Sequence, residues 1–292
     1  MATESEREEL LKLERELQIA RKIQADFLPD TLPQPDGWEI AARFHPAREV
    51  AGDFYDAFPL AQDRRVGFVI ADVCDKGVGA ALFMALIRSL VRAFAQQHYS
   101  LSWMDELSPD WLSDDAPGRS VEQRRAVLST GTTALKNAVV LTNNYILQNH
   151  EQANMFATLF FGVLDPATGS LNYVNGGHNP PFIVGPDGVK ARLTPTGPAV
   201  GMFADVDFNI EQAQLDPGDI LITYTDGVPE ARDPDGKFFT EKRLLSLVEP
   251  SAPSATALLD RIETNLDAHI AEADQFDDIT MLAVRRAPAS EA

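Results

Sequence analysis

Residues 66–97, VGFVIADVCDKGVGAALFMALIRSLVRAFAQQ, join an apolar strand to an amphipathic helix through a short loop that contains aspartate and glycine. An apolar run of this length, bounded by turn residues, is typical of a buried strand. The apolar residues of the helix recur at intervals of three and four, the spacing that buries one helix face against a core. The strand ends at Asp72, so the sequence predicts a carboxylate at the end of a buried strand, directly before a core helix.

The rest of the chain alternates predicted strands with turn sequences such as DPATG (165–169). Consecutive strands with short turns favour antiparallel sheets, and clustered helices favour layers that cover them. The predicted fold class is therefore α+β rather than doubly wound. The predicted strands are 38–45, 53–59, 66–72, 157–164, 170–176, 206–214, 219–225 and 279–286, with two short ones flanking 186–188, and the predicted helices are 5–28, 78–97, 134–150, 240–248 and 255–272.

A helix is predicted at the N-terminus, because residues 5–28 contain neither glycine nor proline. Its apolar residues form a narrow heptad seam with one polar position. The seam consists of Leu10, Leu13, Leu17, Ala20, Gln24 and Phe27. Its partner is either the same helix of a second subunit, giving a homodimer through residues 10–27, or the body of the protein. We therefore divide the chain into a linker or dimerisation helix, 1–30, and a main domain, 36–287.

Residues 99–135 differ from their surroundings, since two tryptophans lie among Ser, Asp and Pro. We interpret this segment as an insertion in the main domain, partly helical. Long irregular segments in compact domains are often functional or mobile. A surface excursion without any role is the alternative.

Composition excludes several classes of function. The chain has 292 residues, with 25 Lys and Arg against 44 Asp and Glu, and a formal net charge of −19. Such a charge disfavours nucleic acid and anionic membrane surfaces as partners. The single cysteine, Cys74, excludes an intramolecular disulfide and a multi-cysteine zinc site. The charged N-terminus and the absence of an evident long apolar run lead us to expect a cytoplasmic protein.

Aspartates stand at the ends of several predicted strands. A single aspartate before glycine is more often ordinary turn chemistry. Several carboxylates that converge on one pocket would repel each other strongly without cations, and Mg²⁺ or Mn²⁺ would relieve that repulsion. The aspartates in question are Asp53, Asp72, Asp226, Asp277 and Asp278.

Six motifs resemble, in order and spacing, those of the PPM-type metal-dependent Ser/Thr protein phosphatases, and most of all the bacterial RsbU/SpoIIE branch of the protein phosphatase 2C-like group. The resemblance covers roughly residues 20–286. The motifs are AGDFYD (51–56), ADVCDKGVGAALFMA (71–85), FATLFFGVLD (156–165), NGGHNPP (175–181), TYTDGVPEA (223–231) and FDDITMLAVR (276–285).

The resemblance implies a four-layer α-β-β-α sandwich of two antiparallel sheets, with two divalent cations, Mn²⁺ or Mg²⁺, at one end. It also implies the residues that hold them. Asp72 would bridge both ions, the carbonyl of Val73 and the carboxylate of Asp53 would serve the second ion, Asp226 and Asp277 would bind the first, and Asp278 would support them.

Two further positions, Arg48 and His178, invite a role. Relatives place a phosphate-binding arginine near Arg48, although an ordinary surface arginine is the alternative. His178 could protonate the leaving group or orient a ligand, but a histidine that fixes a glycine-proline turn is the more frequent case. In the loop DKG (75–77), which replaces the GHG of many relatives, Lys76 reads as a solvated turn residue. Ala51 replaces a frequent glycine, and neither departure removes a ligand.

The implied reaction is the hydrolysis of phosphoserine or phosphothreonine in a protein. A water shared by the two cations would have a lowered pKa and attack phosphorus in line. The resemblance implies a small phosphorylated regulator as substrate, such as an anti-sigma-factor antagonist with a STAS fold. The alternatives are an inactive phosphatase-like regulatory binding module, and another metal-dependent phosphohydrolase that acts on nucleotides.

Overall fold

The computed structural model describes residues 4–106 and 121–289, and it describes their side chains outside 98–133. The helices are α1 (Glu4–Ala25), α2 (Val78–Glu106), α3 (Val121–His150), α4 (Glu241–Val248) and α5 (Ala255–Ile270). The strands are β1 (Trp38–His45), β2 (Phe54–Leu60), β3 (Arg65–Val73), β4 (Ala157–Asp165), β5 (Ser170–Gly176), β6 (Phe182–Gly185), β7 (Gly188–Arg192), β8 (Glu211–Gln214), β9 (Ile220–Tyr224) and β10 (Ile279–Arg286).

The strands form two five-stranded antiparallel sheets. The first sheet has the order β1-β10-β9-β6-β7, and the second has the order β2-β3-β4-β5-β8. Strands β3 and β4 lie inside the second sheet and are buried on both faces. That burial explains why their sequences are continuous apolar runs rather than alternating patterns.

Three hydrophobic cores divide the molecule into four layers. The core between the sheets includes Ile40 and Leu282 of the first sheet and Phe68 and Phe160 of the second. A second core joins α2 and α3 to the outer face of the second sheet. A third joins α4 and α5 to the outer face of the first sheet. The predicted α+β class and the four-layer α-β-β-α sandwich are therefore confirmed.

Helix α1 is only partly packed against this body. Gln24 is its one buried residue among those described. The seam residues Leu17, Ala20 and Phe27 are partly buried, whereas Leu10 and Leu13 are 55% and 53% exposed. The body of the protein therefore covers the second half of the seam, and the first half faces outward.

Two predicted regions differ from the structure by more than three residues. Only Glu211–Gln214 forms a strand within the predicted strand 206–214. The preceding residues run instead beside a loop, where the Asn209 N–H donates to the Thr196 carbonyl and Phe208 packs on Gly197. The second difference concerns the predicted insertion, 99–135. Helices α2 and α3 extend into it from both sides, and its centre, 107–120, lies outside the described residues.

One helical segment corrects the expectation that no stretch is long and apolar enough to span a bilayer. Val78–Gln97 of α2 passes that test by length and composition. Its inner face is nevertheless part of the core, where Met84, Ile87 and Val91 are buried against the second sheet. A core helix passes the same test, so this segment is weak evidence for a membrane span.

A buried ion-pair cluster attaches α2 to the second sheet. The carboxylate of Asp56 in β2 is 1% exposed and lies 3.0 Å from Arg88 Nε and 3.1 Å from Arg92 Nη1. The two arginines are one helical turn apart on α2. Burial raises the pKa of Asp56, and the arginines act against that rise.

We expect Asp56→Ala to lower the free energy of unfolding by about 2–4 kcal/mol, because it leaves two partly buried guanidinium groups without their counter-ion. Urea denaturation measures this difference. Asp187→Ala, in the exposed β6–β7 turn, is the matched control and should change stability by less than about 0.5 kcal/mol. An equally small effect of Asp56→Ala would show that the cluster does not anchor α2.

Candidate metal centre

Asp53 is a buried carboxylate at the junction of the two sheets. It directly precedes β2, and its Oδ2 atom accepts hydrogen bonds from the hydroxyls of Thr225 (2.8 Å) and Thr280 (2.6 Å). Thr225 follows β9 and Thr280 lies in β10, so both hydroxyls come from the first sheet. The two contacts fix an acid of the second sheet beside the strand ends of the first.

Strand pairing in the second sheet brings Asp72 alongside Asp53. Phe54 pairs with Ala71 in the β2–β3 ladder, so the residue before β2 lies opposite the residue after Ala71. The two carboxylates also interact electrostatically, and each changes the pKa of the other. Asp72 therefore lies at the same end of the sandwich as Asp53.

Pairing in the first sheet brings Asp226 close to Asp277. Tyr224 pairs with Met281 in the β9–β10 ladder, so the turn that begins at Asp226 lies beside the first residues of β10. Gly227 permits this close approach, because a Cβ atom there would overlap the carbonyl oxygen of Asp278. The ends of β3 and β9 and the starts of β2 and β10 thus meet in one acidic pocket.

The pKa values of these acids reflect burial and mutual repulsion. Burial, followed by the charges of Asp226 and Asp277, raises the pKa of Asp72 to about 7. Burial, followed by the charge of Asp277, raises the pKa of Asp226 to about 6. The pKa of Asp53 is raised well above its usual value, mainly by burial and next by Asp72. The pocket therefore retains protons at a pH where ordinary aspartates are ionised.

Asp278 uses its carboxylate to hold the loop before β2. Its Oδ1 accepts the N–H of Ala47 (2.7 Å), and its Oδ2 accepts the N–H of Gly52 (2.8 Å). Its pKa is raised by burial, and the two backbone donors act in the opposite direction. This placement suits a residue that positions the Asp53 loop.

The carbonyl of Val73 lies close to Gly52. A Cβ atom at position 52 would lie 2.9 Å from this oxygen, so a larger residue would crowd it. Glycine therefore leaves room beside a carbonyl that the sequence predicts as a metal ligand.

Lys76 reaches into the acidic pocket, contrary to its interpretation as a solvated turn residue. Its Nζ lies 2.8 Å from Asp277 Oδ2 and donates to the carbonyl of Phe276 at 2.8 Å. Its charge also lowers the pKa of Asp226. The ammonium group thus partly neutralises the carboxylates.

The chemistry of this donor set fits a hard divalent cation. Carboxylate and carbonyl oxygens are the ligands that Mg²⁺ and Mn²⁺ prefer. Within residues 4–106 and 121–289, however, no three His, Cys, Asp or Glu side chains form a ready-made metal-binding group. The acids share a pocket and repel each other, and Lys76 holds one side of Asp277. Binding of a cation would therefore require Asp277 to exchange the ammonium group for the metal.

Arg48 and His178 occupy very different positions. Arg48 is exposed on the loop that Asp278 holds. His178 is buried, and its Nδ1 lies 2.8 Å from the Thr158 hydroxyl. Burial lowers the pKa of His178 to about 3, so the imidazole stays neutral at physiological pH. A neutral, enclosed imidazole suits the role of fixing the turn better than that of donating a proton to a substrate.

The last turn of α1 contacts the same loop. Gln24 Nε2 donates to the Ala51 carbonyl (2.7 Å), and the Ala51 N–H donates to Gln24 Oε1 (2.9 Å). Ala51 lies two residues before Asp53. Gln24, the polar position of the predicted seam, therefore contacts the loop that leads to Asp53.

Sequence reasoning missed the roles that four residues have at the pocket, namely Thr225, Thr280, Lys76 and Gln24. The two threonines could have been suspected from the sequence, since Thr225 directly precedes Asp226 and Thr280 lies two residues after Asp278. Lys76 and Gln24 act through contacts across 200 and 27 residues of sequence. A pattern of neighbouring residues does not predict contacts between such distant segments.

The family model described as "Stage II sporulation protein E (SpoIIE)" matches residues 62–287 of this chain. Protein IcfG of Synechocystis sp. (strain ATCC 27184 / PCC 6803 / Kazusa) is 46% identical over 93% of this chain and 41% of its own length. Phosphoserine phosphatase RsbU of Bacillus subtilis (strain 168) is 25% identical over 94% of this chain and 71% of its own length. The chain thus spans less than half of IcfG.

Solved structures share the fold. The SiaA-PP2C domain of Pseudomonas aeruginosa has a TM-score of 0.65 and 20% identity, covering 94% of this chain and 98% of the domain. The catalytic domain of the serine threonine protein phosphatase PstP, solved in complex with 2 manganese ions, has a TM-score of 0.52 and 15% identity. That match covers 85% of this chain and 97% of PstP's domain.

The raised carboxylate pKa values predict how stability depends on pH. Between the unfolded pKa of an aspartate, about 4, and the folded pKa of Asp72, about 7, the folded state binds more protons than the unfolded state. The contribution of these acids to stability therefore falls as pH rises through that window. In EDTA, we expect the melting temperature of the wild type to drop more between pH 5.5 and pH 8 than that of Asp72→Asn.

Mn²⁺ should raise the melting temperature more at pH 8 than at pH 5.5, because a cation must displace bound protons at the lower pH. Differential scanning fluorimetry measures both effects, with Asp187→Asn as a control that keeps the wild-type profile. Identical profiles for the wild type and Asp72→Asn would contradict the assignment of proton binding to the pocket.

Proposed function

Because the chain belongs to the SpoIIE family of protein phosphatase 2C-like proteins, we propose that it hydrolyses phosphoserine or phosphothreonine in a protein with the help of divalent cations. One observation carries the proposal: carboxylates from the ends of strands in both sheets, Asp53, Asp72, Asp226 and Asp277, share one pocket, where mutual repulsion and burial raise the pKa values of the first three. An acidic pocket of this kind binds a phosphorylated group only if cations first neutralise it.

The proposed site holds two Mn²⁺ or Mg²⁺ ions. We assign Asp72 as the bridging ligand, Asp226 and Asp277 as ligands of the first ion, and Asp53 with the Val73 carbonyl as ligands of the second. Family membership supports this assignment, and so does the manganese-bound structure of PstP. When bound, such ions lower the pKa of a coordinated water and offset charge on phosphoryl oxygens.

The remaining residues act by position and charge. Thr225 and Thr280 hold the Asp53 carboxylate, and Asp278 holds the loop before it. Arg48 is exposed on that loop and is our candidate for binding the phosphoryl group.

Cys74 is unsuited to act as a nucleophile. Burial raises the pKa of its thiol, and its sulfur accepts the N–H of Phe156 at 3.2 Å. A thiol with a raised pKa forms little thiolate, which is the reactive species. The reaction we propose therefore uses water rather than a side chain to attack phosphorus.

The substrate we propose is a small phosphorylated regulator of the STAS type, an anti-sigma-factor antagonist, in the cytoplasm. The similarity to RsbU supports a phosphoserine protein as substrate. A solved structure of the RsbU and RsbW domains of Rv1364c, from Mycobacterium tuberculosis, has the same fold.

A regulatory binding module without activity is the second candidate. The observation that favours it is the ion pair between Lys76 and Asp277, which occupies a predicted metal ligand. Calorimetric titration with Mn²⁺ separates the two candidates, because a module of this kind need not bind metal.

Asp72→Asn should lower Mn²⁺-dependent hydrolysis of a phosphoserine peptide more than about 100-fold. Substitution of a residue that only supports a metal ligand typically lowers metal affinity or activity by about 10–100-fold, and loss of a ligand shared by both ions should lower it further. Phosphate release with and without Mn²⁺ is the measurement. Asp187→Asn makes the same chemical change in the exposed β6–β7 turn, far from the pocket, and should keep full activity. Wild-type turnover by Asp72→Asn would reject the proposed site.

We also propose that two chains pair through the outward-facing half of α1. Leu10 and Leu13 are more than half exposed, and Leu11, Ile19 and Ile23 extend the apolar surface. An amphipathic helix that leaves so much apolar surface in water is stabilised by a partner helix. A second copy supplies that helix with the same seam.

Light scattering of the full chain should give the mass of a dimer, and Leu10→Glu with Leu13→Glu should give the mass of a monomer, because charges are disfavoured in the seam. Gln18→Glu adds charge outside the seam and should stay dimeric. A monomeric wild type, or a dimer that survives both leucine substitutions, would refute pairing through α1.

A further inference from the structure

An exposed cluster of aromatic and cationic side chains adjoins the acidic pocket. Phe238 and Phe276 are 49% and 48% exposed. The guanidinium carbon of Arg232 lies 3.7 Å from the ring centroid of Phe276 and 5.2 Å from that of Phe238. Lys76 Nζ lies 4.3 Å from the Phe276 centroid. We call these four residues the aromatic rim.

The rim is next to the proposed site. Phe276 directly precedes Asp277, and Lys76 contacts both of them. Because 4.3 Å and 3.7 Å are measured to the same ring centroid, the ammonium and guanidinium groups lie no more than about 8 Å apart. A segment that presents its phosphoserine to the pocket from the side of Asp277 would therefore cross the rim.

Arg232 is held in place by the loop that carries it. Residues Arg232 and Phe238 form an isolated antiparallel bridge. Between them, Asp233 Oδ1 accepts the N–H groups of Asp235 (2.9 Å) and Lys237 (2.8 Å). Phe239, which directly follows Phe238, is buried in the core beneath α4 and α5. This anchoring reduces the ordering cost of binding a ligand at Arg232.

The charge of Arg232 has no carboxylate partner within the described parts of the chain. Its Nε is buried without a hydrogen-bond acceptor, and its guanidinium lies against the two phenyl rings. In a sequence with 44 Asp and Glu against 25 Lys and Arg, acidic partners are abundant. A fixed guanidinium between two exposed rings is thus available for an anion from outside.

We propose that the aromatic rim is the docking surface for the phosphoserine-bearing segment of the protein substrate. Arg232 binds an oxyanion of that segment, and Phe238 and Phe276 contact its apolar side chains. Charge complementarity supports this occupant, because the segment is anionic and Arg232 presents a cation that no carboxylate of the described residues neutralises. The inference rests on the proposed phosphatase function and names its substrate-recognition surface.

The test compares three probes with Mn²⁺ present. They are p-nitrophenyl phosphate and two phosphoserine peptides, identical except that the residues flanking the phosphoserine are Glu in one and Gln in the other. Arg232→Gln should raise KM for the Glu peptide about tenfold, since a charge-assisted arginine contact is worth roughly 1.5 kcal/mol. Its kcat should change less than twofold.

Phe238→Ala should raise KM for both peptides about threefold, because an aromatic contact is lost. It should leave KM for p-nitrophenyl phosphate unchanged, because that probe has no flanking residues to contact the ring. Arg286→Gln is the matched control, because Arg286 also stacks on an aromatic ring, that of Trp38, but at the opposite end of β10. It should leave all three KM values unchanged. Circular dichroism and thermal unfolding check that each variant is folded.

The probes also identify the oxyanion. A KM increase for the Glu peptide alone means that Arg232 binds a flanking carboxylate, and an increase for all three probes means that it binds the phosphoryl group. Unchanged KM values for both peptides in Arg232→Gln and Phe238→Ala would overturn the inference. Absence of Mn²⁺-dependent hydrolysis in the wild type would instead refute the proposed function, so the two failures are distinguishable.

Discussion

The position of Asp53 is the constraint on which the acidic pocket depends. A carboxylate with no access to water is stable only when hydrogen bonds replace its hydration. Here the hydroxyls of Thr225 and Thr280 do so across the junction of the two sheets. A shift of either sheet by one residue would remove these donors. The packing of the sandwich and the geometry of the pocket are therefore set by the same contacts.

Lys76 shows how the protein tolerates such a concentration of acids. Carboxylates in a partly buried pocket repel each other, and two ways of reducing that repulsion are visible in their surroundings. Protons remain bound, as the raised pKa values of Asp72 and Asp226 indicate, and the ammonium group of Lys76 pairs with Asp277. Cations that bind here must compete with both. The same lysine also lies on the Phe276 ring, so neutralisation of the pocket is linked to the aromatic rim.

The sequence alone predicted the parts of this arrangement that local patterns encode. Apolar runs predicted β3, β4 and β9, and the helical spacing predicted α2, because burial of one element follows from its own residues. The strand 206–214 was wrong over its first half, since Phe208 is buried by packing on Gly197 rather than by a strand ladder. Contacts between distant segments, such as Thr225 with Asp53 across 172 residues, could not be predicted from single-sequence patterns.

The contact between Gln24 and Ala51 links the orientation of α1 to the position of the loop before Asp53. The helix has 22 residues, so it is a rod about 33 Å long whose second half contacts the body and whose first half faces outward. The two hydrogen bonds between Gln24 and Ala51 fix the C-terminal end of α1 to the body. Tilting the rod by a few degrees would sweep its free end through several ångströms while displacing Ala51 by only a fraction of one. Large displacements of the N-terminal end of α1 would thereby become small displacements two residues before Asp53.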